Sequence, residues 1–135
     1  MSERGSVTAF VVIMTSALLA MAGLVIDGGY ALAAHRRAFN EAEAAARAGA
    51  QAVDLDTLRA TGDVVLDAGE AERRALEYLA ALDRSGSVEV DGDVVRVHLS
   101  FEHGLVLLDA FGVGPMTIEG DGEARAVRGV TEAST

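Results

Sequence analysis

Histidine is the side chain that most often carries out acid–base chemistry at neutral pH, and this sequence has three. They are His35, His98 and His103. None stands at a spacing typical of a metal pair, and none accompanies a nucleophile as its base. We therefore predict solvated surface histidines. No catalytic residue, enzymatic activity or small-molecule substrate is expected.

Two acidic segments offer the oxygen ligands that calcium prefers, Asp91-Gly92-Asp93 and Glu119 to Glu123. Neither has the spacing of an EF-hand loop, and alternation in the second directs its carboxylates along one exposed strand face. At most weak calcium binding is expected there. No glycine loop of the kind that cradles phosphate is present, so the sequence predicts neither a metal nor a cofactor.

Asp27 is the carboxylate with the most informative position, because it directly follows the uncharged stretch Val7 to Ile26. In one interpretation it marks the end of a membrane span at the interface. In the other it pairs with an arginine of a second subunit, because ionisable groups at such depths seek partners.

The stretch Val7 to Ile26 is long enough to cross a bilayer. Its twenty residues extend roughly 30 Å as a helix, the thickness of the hydrocarbon core. A buried core helix is disfavoured, because every face is apolar and the remaining chain is too small to enclose it. The alternative is a cleaved secretory signal, with small-residue sites ending at Ala22 and Ala33, which would release an acidic binding domain. We predict a retained span.

Charge is unevenly distributed along the 135 residues. Residues 1–53 hold four arginines and four acidic residues, whereas residues 54–135 hold seven arginines and seventeen acidic residues, which accounts for the net charge of −10. Such a domain repels phosphate backbones, so no nucleic-acid partner is expected. Cysteine is absent, which excludes disulfides. Arg36 and Arg37 follow the span, so charge alone favours a cytoplasmic C-terminal side.

A long N-terminal helix is predicted over residues 6–53, with its span at about 7–26. Beyond the span one face carries small side chains that allow close approach of a sheet or another helix, in the membrane or between subunits. These residues are Ala38, Ala42, Ala45 and Gly49. A connection over 54–67 precedes a second helix from Ala68 to about Asp83, which Gly86 ends.

The remaining chain alternates as strands do. Asp91-Gly92 predicts a tight hairpin in which Val90 pairs with Asp93. Leu105 to Phe111 forms a brief apolar turn or helix. A last strand, Met116 to Val127, has a small inner side suited to the alanine face of the first helix. The sequence thus predicts an α+β fold, a long helix on a small antiparallel sheet with one additional helix.

Four segments of the N-terminal region resemble a known family. They are Arg4-Gly5-Ser6, the apolar span, Gly23 to Tyr30 and the alanine-rich run Arg37 to Ala50. Together they resemble the N-terminal region of TadE/TadG-like proteins of the tight-adherence (Flp) pilus system. That family shows a glycine before the span, a G-x-x-x-D end and an alanine-rich helix. The resemblance covers roughly the first 53 residues.

The resemblance implies a pilin-like membrane protein with a cytoplasmic N-terminus and its acidic domain outside. It implies a minor pilin or accessory assembly component of the pilus or a related secretion system. The implied partners are other pilus subunits, assembly-platform proteins and the lipid bilayer. Gly5 would precede a prepilin-peptidase cut and Ser6 would become the new N-terminus. Type IV prepilins carry a glutamate where this chain has Phe10.

These interpretations divide the chain into four parts. A leader occupies residues 1–5 and the long helix residues 6–53. A small acidic α+β domain, extracytoplasmic by the resemblance, occupies residues 54–130. A flexible tail follows over residues 131–135.

Overall fold

A computed structural model describes residues 3–127, and the side chains of residues 5–127. The expected tail at 131–135 and the first residues of the leader lie outside the described residues. Two compact units divide the described chain: residues 3–34 with 102–117, and residues 35–101 with 118–127. The fold is α+β, as predicted, with helices and a three-stranded antiparallel sheet.

The first helix, α1, runs from Glu3 to Gly49 without interruption and contributes residues to both units. It has no proline and is rich in alanine and leucine, which favour helix. The helix stops before the expected Val53 because the backbone of that segment bonds elsewhere. Val53 forms an antiparallel bridge with Leu66, and Asp54 N–H donates to the Val65 carbonyl at 2.8 Å.

Among the described residues, α1 is the one helix long and apolar enough to cross a membrane. Only 6 % of its most apolar window is buried against the rest of the protein. A core helix of a soluble domain would bury that surface, so the exposure favours the spanning interpretation.

The connection after α1 contains a short helix that the sequence interpretation missed. This helix, α2, spans Leu55–Thr61. The Asp54 carboxylate caps it by accepting from the Asp56 and Thr57 amides, and the pKa of Asp54 is lowered by these bonds, chiefly those of Thr57. Gly62 ends it at φ 79°. Helix α2 has only seven residues and none of them is buried, so its sequence has no apolar periodicity from which a helix could be predicted.

The next helix, α3, spans Ala68–Ala81 and begins where predicted, with the Asp67 carboxylate accepting from the Glu70 amide at 3.0 Å. It ends earlier than expected, and Gly86 is not its terminator. Asp83 takes a left-handed φ of 55°, and the Arg84 amide bonds to the Leu79 carbonyl. This Schellman arrangement satisfies the last carbonyls before the sheet begins.

The sheet has the order β1-β2-β3, with β1 at Gly86–Asp91, β2 at Val94–His103 and β3 at Met116–Arg125. The hairpin register differs from the prediction, because Val90 pairs with Val95 and the loop is Gly92-Asp93. That loop needs a positive φ only at its first residue, where Gly92 has 62°. The shift is two residues, so the predicted inward face is unchanged.

The core of the second unit lies between the C-terminal part of α1, helix α3 and one face of the sheet. The largest fully buried side chains there are Leu79, Leu99, Val95 and Val97. Arg84 joins two elements at its edge: its guanidinium bonds to Glu41 of α1 at 2.8 Å and lies 3.9 Å from the ring centre of Phe101.

Candidate functional site

Asp27 is the buried charged residue of the first unit, and its carboxylate is fully engaged within the chain. The residue is 1 % exposed. One carboxylate oxygen accepts from the amides of Val106 at 3.0 Å and Leu107 at 3.2 Å. The other accepts from Leu107 at 3.0 Å and Leu108 at 2.7 Å. Three consecutive amides therefore converge on one carboxylate.

These three amides precede a 3₁₀ turn, Leu108–Phe111, so Asp27 acts as a cap supplied from about eighty residues earlier in the chain. Amides at a helix start have no partner within the helix, and an anion there bonds them strongly. Two interpretations of Asp27 follow from the sequence: a marker of the span's end, or a partner for an arginine of another subunit. A carboxylate has about four acceptor sites, and four short contacts occupy them here.

Gly23 lies one helical turn before Asp27 on the same side of α1. A Cβ at Gly23 would lie 3.3 Å from the Leu107 Cβ, tighter than ordinary side-chain contact. The glycine thus lets the 105–113 segment approach the helix, and the aspartate fixes it. The G-x-x-x-D pattern was visible in the sequence, but nothing in the sequence indicated its partner segment.

The small-residue face of α1 is buried inside the second unit. Its members Ala38, Ala42 and Ala45 are fully buried, and Gly49 is buried as well. A Cβ on Gly120 or Gly122 of β3 would overlap the α1 backbone at Ala38 or Ala42. The structure confirms the expected pairing between this face and the small inner side of the last strand.

Gly49 completes the same face against α3 and the sheet. A Cβ there would lie 2.9 Å from the Ala71 carbonyl oxygen and 3.1 Å from a Val95 methyl group. This face therefore packs within its own chain, against the sheet and α3. Gly5 and Ser6, the expected processing residues, are exposed in the first turns of α1.

The outer face of the sheet carries charges of β3 that pair with β2 or with the loop before it. His98 Nδ1 lies 2.7 Å from Asp121, Arg96 bonds to Glu123 at 3.0 Å, and Arg125 lies 3.3 Å from Asp93. The hydrogen bond that the imidazole donates to the Asp121 carboxylate raises the pKa of His98, and partial desolvation opposes that rise. Cross-strand pairs of this kind support strand register.

The other two histidines lie apart from this face. The His35 ring packs edge-on against Phe39 at 5.6 Å, and His103 ends β2 half-buried. Within residues 3–127, no group of three or more histidine and acidic side chains is placed to hold a metal ion.

Comparison with known proteins concerns the N-terminal stretch. Residues 5–52 match the model of the Tad family, described as Flp pilus-assembly TadE/G-like. No curated protein and no solved structure matches the chain. The matched residues include the apolar span, the Gly23 and Asp27 pair and the small-residue face. A pilus-assembly match on a membrane-length helix indicates a single-pass membrane protein. Residues 5–52 of this chain are thus similar to the TadE/G-like family, which links the chain to Flp pilus assembly in general.

Proposed function

We propose that this chain is a minor pilin or accessory assembly component of a Tad/Flp-type pilus or related secretion system. It is anchored by α1, with its acidic domain outside the cytoplasm, and it acts by packing against other pilus subunits and assembly-platform proteins. Processing between Gly5 and Ser6 belongs to the same proposal.

The observation that carries the proposal is the coincidence of the family match with the exposed apolar helix. The matched residues 5–52 cover nearly all of α1, and the apolar part of that helix has almost no cover from its own chain. A segment of this length and exposure needs lipid or other apolar helices around it. A pilus system supplies both.

A role without catalysis is part of the proposal. Several ionisable side chains on the outer sheet face pair with one another, as do several on α3, where Glu70 lies between Arg73 and Arg74. Paired surface charges of this kind support solubility and register rather than proton transfer.

Membrane fractionation followed by a pull-down tests the proposal. We expect the chain in the membrane fraction and pilus subunits in the detergent-solubilised pull-down. A matched control carries Glu72→Gln, an exposed change that should leave both results unaltered. Recovery in the soluble fraction, or a pull-down without pilus subunits, would contradict the proposal.

N-terminal sequencing of the mature protein separates the anchored form from the secreted alternative. A start at Ser6 supports processing at Gly5, and a start at Met1 supports an unprocessed anchor. A start at Gly23 would mean that signal peptidase removed the span and released an acidic binding domain.

A further inference from the structure

The segment 105–113 of the first unit, called here the apolar loop, leaves large hydrophobic side chains exposed. Val106 is 66 % exposed, Phe111 61 %, Val113 45 % and Leu107 37 %. Single exposed apolar residues are ordinary, but several in one short loop mark an interaction surface.

The loop lies beside the end of the membrane span. Leu107 approaches Gly23, and Asp27 holds the amides of residues 106–108. Gly23 lies within the span, four residues before Asp27, which is a distance of about 6 Å along a helix axis. Both anchoring points belong to the same unit as the loop. The loop therefore sits at the level of the span's last turn, where α1 meets the bilayer surface.

The backbone of the loop is suited to an environment with little water. Asp27 accepts the amides of residues 106, 107 and 108. Within the loop, Ala110 donates to the Leu107 carbonyl, Gly112 to Asp109 and Val113 to Leu108. Unbonded amides in lipid cost several kcal/mol each, so these bonds lower the cost of placing the loop at the bilayer surface.

Electrostatic attraction to lipid headgroups does not contribute to membrane binding by the loop. No arginine or lysine occurs between Arg96 and Arg125, and the single charged side chain within the loop is Asp109. Attraction to anionic headgroups is therefore absent, and binding would depend on apolar burial alone.

We propose that the apolar loop inserts its exposed side chains into the bilayer surface next to the span. The chain is then held by two elements, the spanning helix and a shallow wedge joined to it through Asp27. The inference rests on the membrane anchoring in the proposed function, and its occupant is lipid rather than a second copy of the chain.

Site-specific fluorescence in vesicles tests the wedge, and the absence of native cysteine makes single-site labelling straightforward. The full chain is labelled with an environment-sensitive dye at Val106→Cys or Phe111→Cys and reconstituted into phosphatidylcholine vesicles. Lipids with a nitroxide near the headgroup then quench the dye. Ile13→Cys serves as the reference inside the span and Glu72→Cys as the exposed reference in α3.

We expect quenching at positions 106 and 111 to be several-fold stronger than at position 72, without any anionic lipid. Hydrogen exchange of amides 106–108 must remain slow in the labelled variants, which shows that the loop is still held by Asp27. Quenching at 106 and 111 equal to that at 72, with position 13 deeply quenched, would overturn the wedge while leaving the anchor intact.

Two further outcomes would also overturn it. In the first, the dye is shielded from water but is not quenched by nitroxide lipid, and it is self-quenched between labelled chains. This result would show that a second copy covers the loop. Failure of position 13 to be quenched by deep nitroxides would show that α1 does not insert, which removes the anchor and the wedge together.

Discussion

At the scale of single residues, Asp27 has the clearest structural role in the first unit. Its carboxylate accepts from three consecutive amides at the start of a 3₁₀ turn, and it does so from a distant part of the chain. Hydrogen bonds to a charged acceptor are roughly twice as strong as neutral ones. The residue is therefore a tether for the segment that contains these amides.

Asp27→Asn tests the tether. The amide nitrogen of asparagine would face backbone donors, so at least one oxygen contact is lost and the loop loosens. We expect exchange of amides 106–108 to accelerate by at least about tenfold in detergent micelles, measured by hydrogen–deuterium exchange.

Asp109→Asn is the matched control, because it removes a carboxylate from the same loop without touching the Asp27 bonds. It should leave the exchange of amides 106–108 unchanged. Slow exchange in Asp27→Asn as well would show that the loop is held by its apolar contacts alone.

His98 gives a second prediction at this scale. Its bond to Asp121 raises its pKa above the ordinary value of 6.5, so the folded state binds the imidazole proton more tightly than the unfolded state. The stabilisation is complete below pH 6.5 and is lost as the pH rises through the raised pKa. An NMR titration should place His98 above 6.5, and Asp121→Asn should return it toward that value. The control Glu72→Gln should leave the pKa of His98 unchanged. A His98 pKa at or below 6.5 in the native chain would contradict the pairing.

At the scale of elements, the contact between α1 and β3 depends on the absence of side chains. Glycine weakens a strand interior, yet β3 has Gly120 and Gly122 on its inner side. Close packing of α1 on the strand compensates for this loss of strand stability. The α1 backbone at Ala38 and Ala42 lies so close to the two glycines that no Cβ would fit.

Gly122→Ala should therefore destabilise the second unit, although alanine is normally the better residue. The added methyl group overlaps backbone atoms at Ala42 and Glu43, which cannot rotate away as a side chain can. We expect a loss of about 1–3 kcal/mol in the free energy of unfolding, the usual range for overpacking. Urea unfolding of the full chain in micelles measures it.

Gly69→Ala in α3 is the control, because its Cβ would lie 3.7 Å from the Asp67 carboxylate, an ordinary contact. Stability there should be unchanged or slightly raised, since alanine favours helix. An equal loss in both variants would argue against the close α1–β3 packing.

At the scale of the whole molecule, charge and the proposed function favour opposite orientations. The arginines after the span favour a cytoplasmic C-terminal side, and a role in a pilus requires an external one. The many acidic residues of 54–135 do not change the orientation expected from charge, because aspartate and glutamate carry little weight in the positive-inside rule. The proposed function takes the external orientation.

Labelling of Glu72→Cys with a maleimide that does not cross the inner membrane decides the orientation. We expect labelling in spheroplasts, because Glu72 is exposed on α3 and the proposed orientation places the domain outside. Ile13→Cys should stay unlabelled within the bilayer. Labelling of position 72 only after lysis would reverse the topology.

Much of the fold could be predicted from local patterns. Three such patterns depend only on neighbours in sequence: the apolar length of Val7 to Ile26, the alanine periodicity after it and the alternation of the strands. The structure has a helix over the first two and strands over the third, as predicted. Helix ends and the hairpin loop were less accurate. Asp83 and the Gly92-Asp93 loop take their conformations from bonds to residues several positions away.

The sequence by itself determined that a membrane-length helix precedes an acidic α+β domain, because hydropathy and charge are properties of the chain alone. Only the tertiary structure decided that Asp27 caps residues 106–108 and that α3 joins the predicted last strand on the small face of α1. The first contact joins segments about eighty residues apart, and the second brings Gly49 against Ala71 across an intervening connection. Such partners are chosen by three-dimensional packing, which no local pattern records.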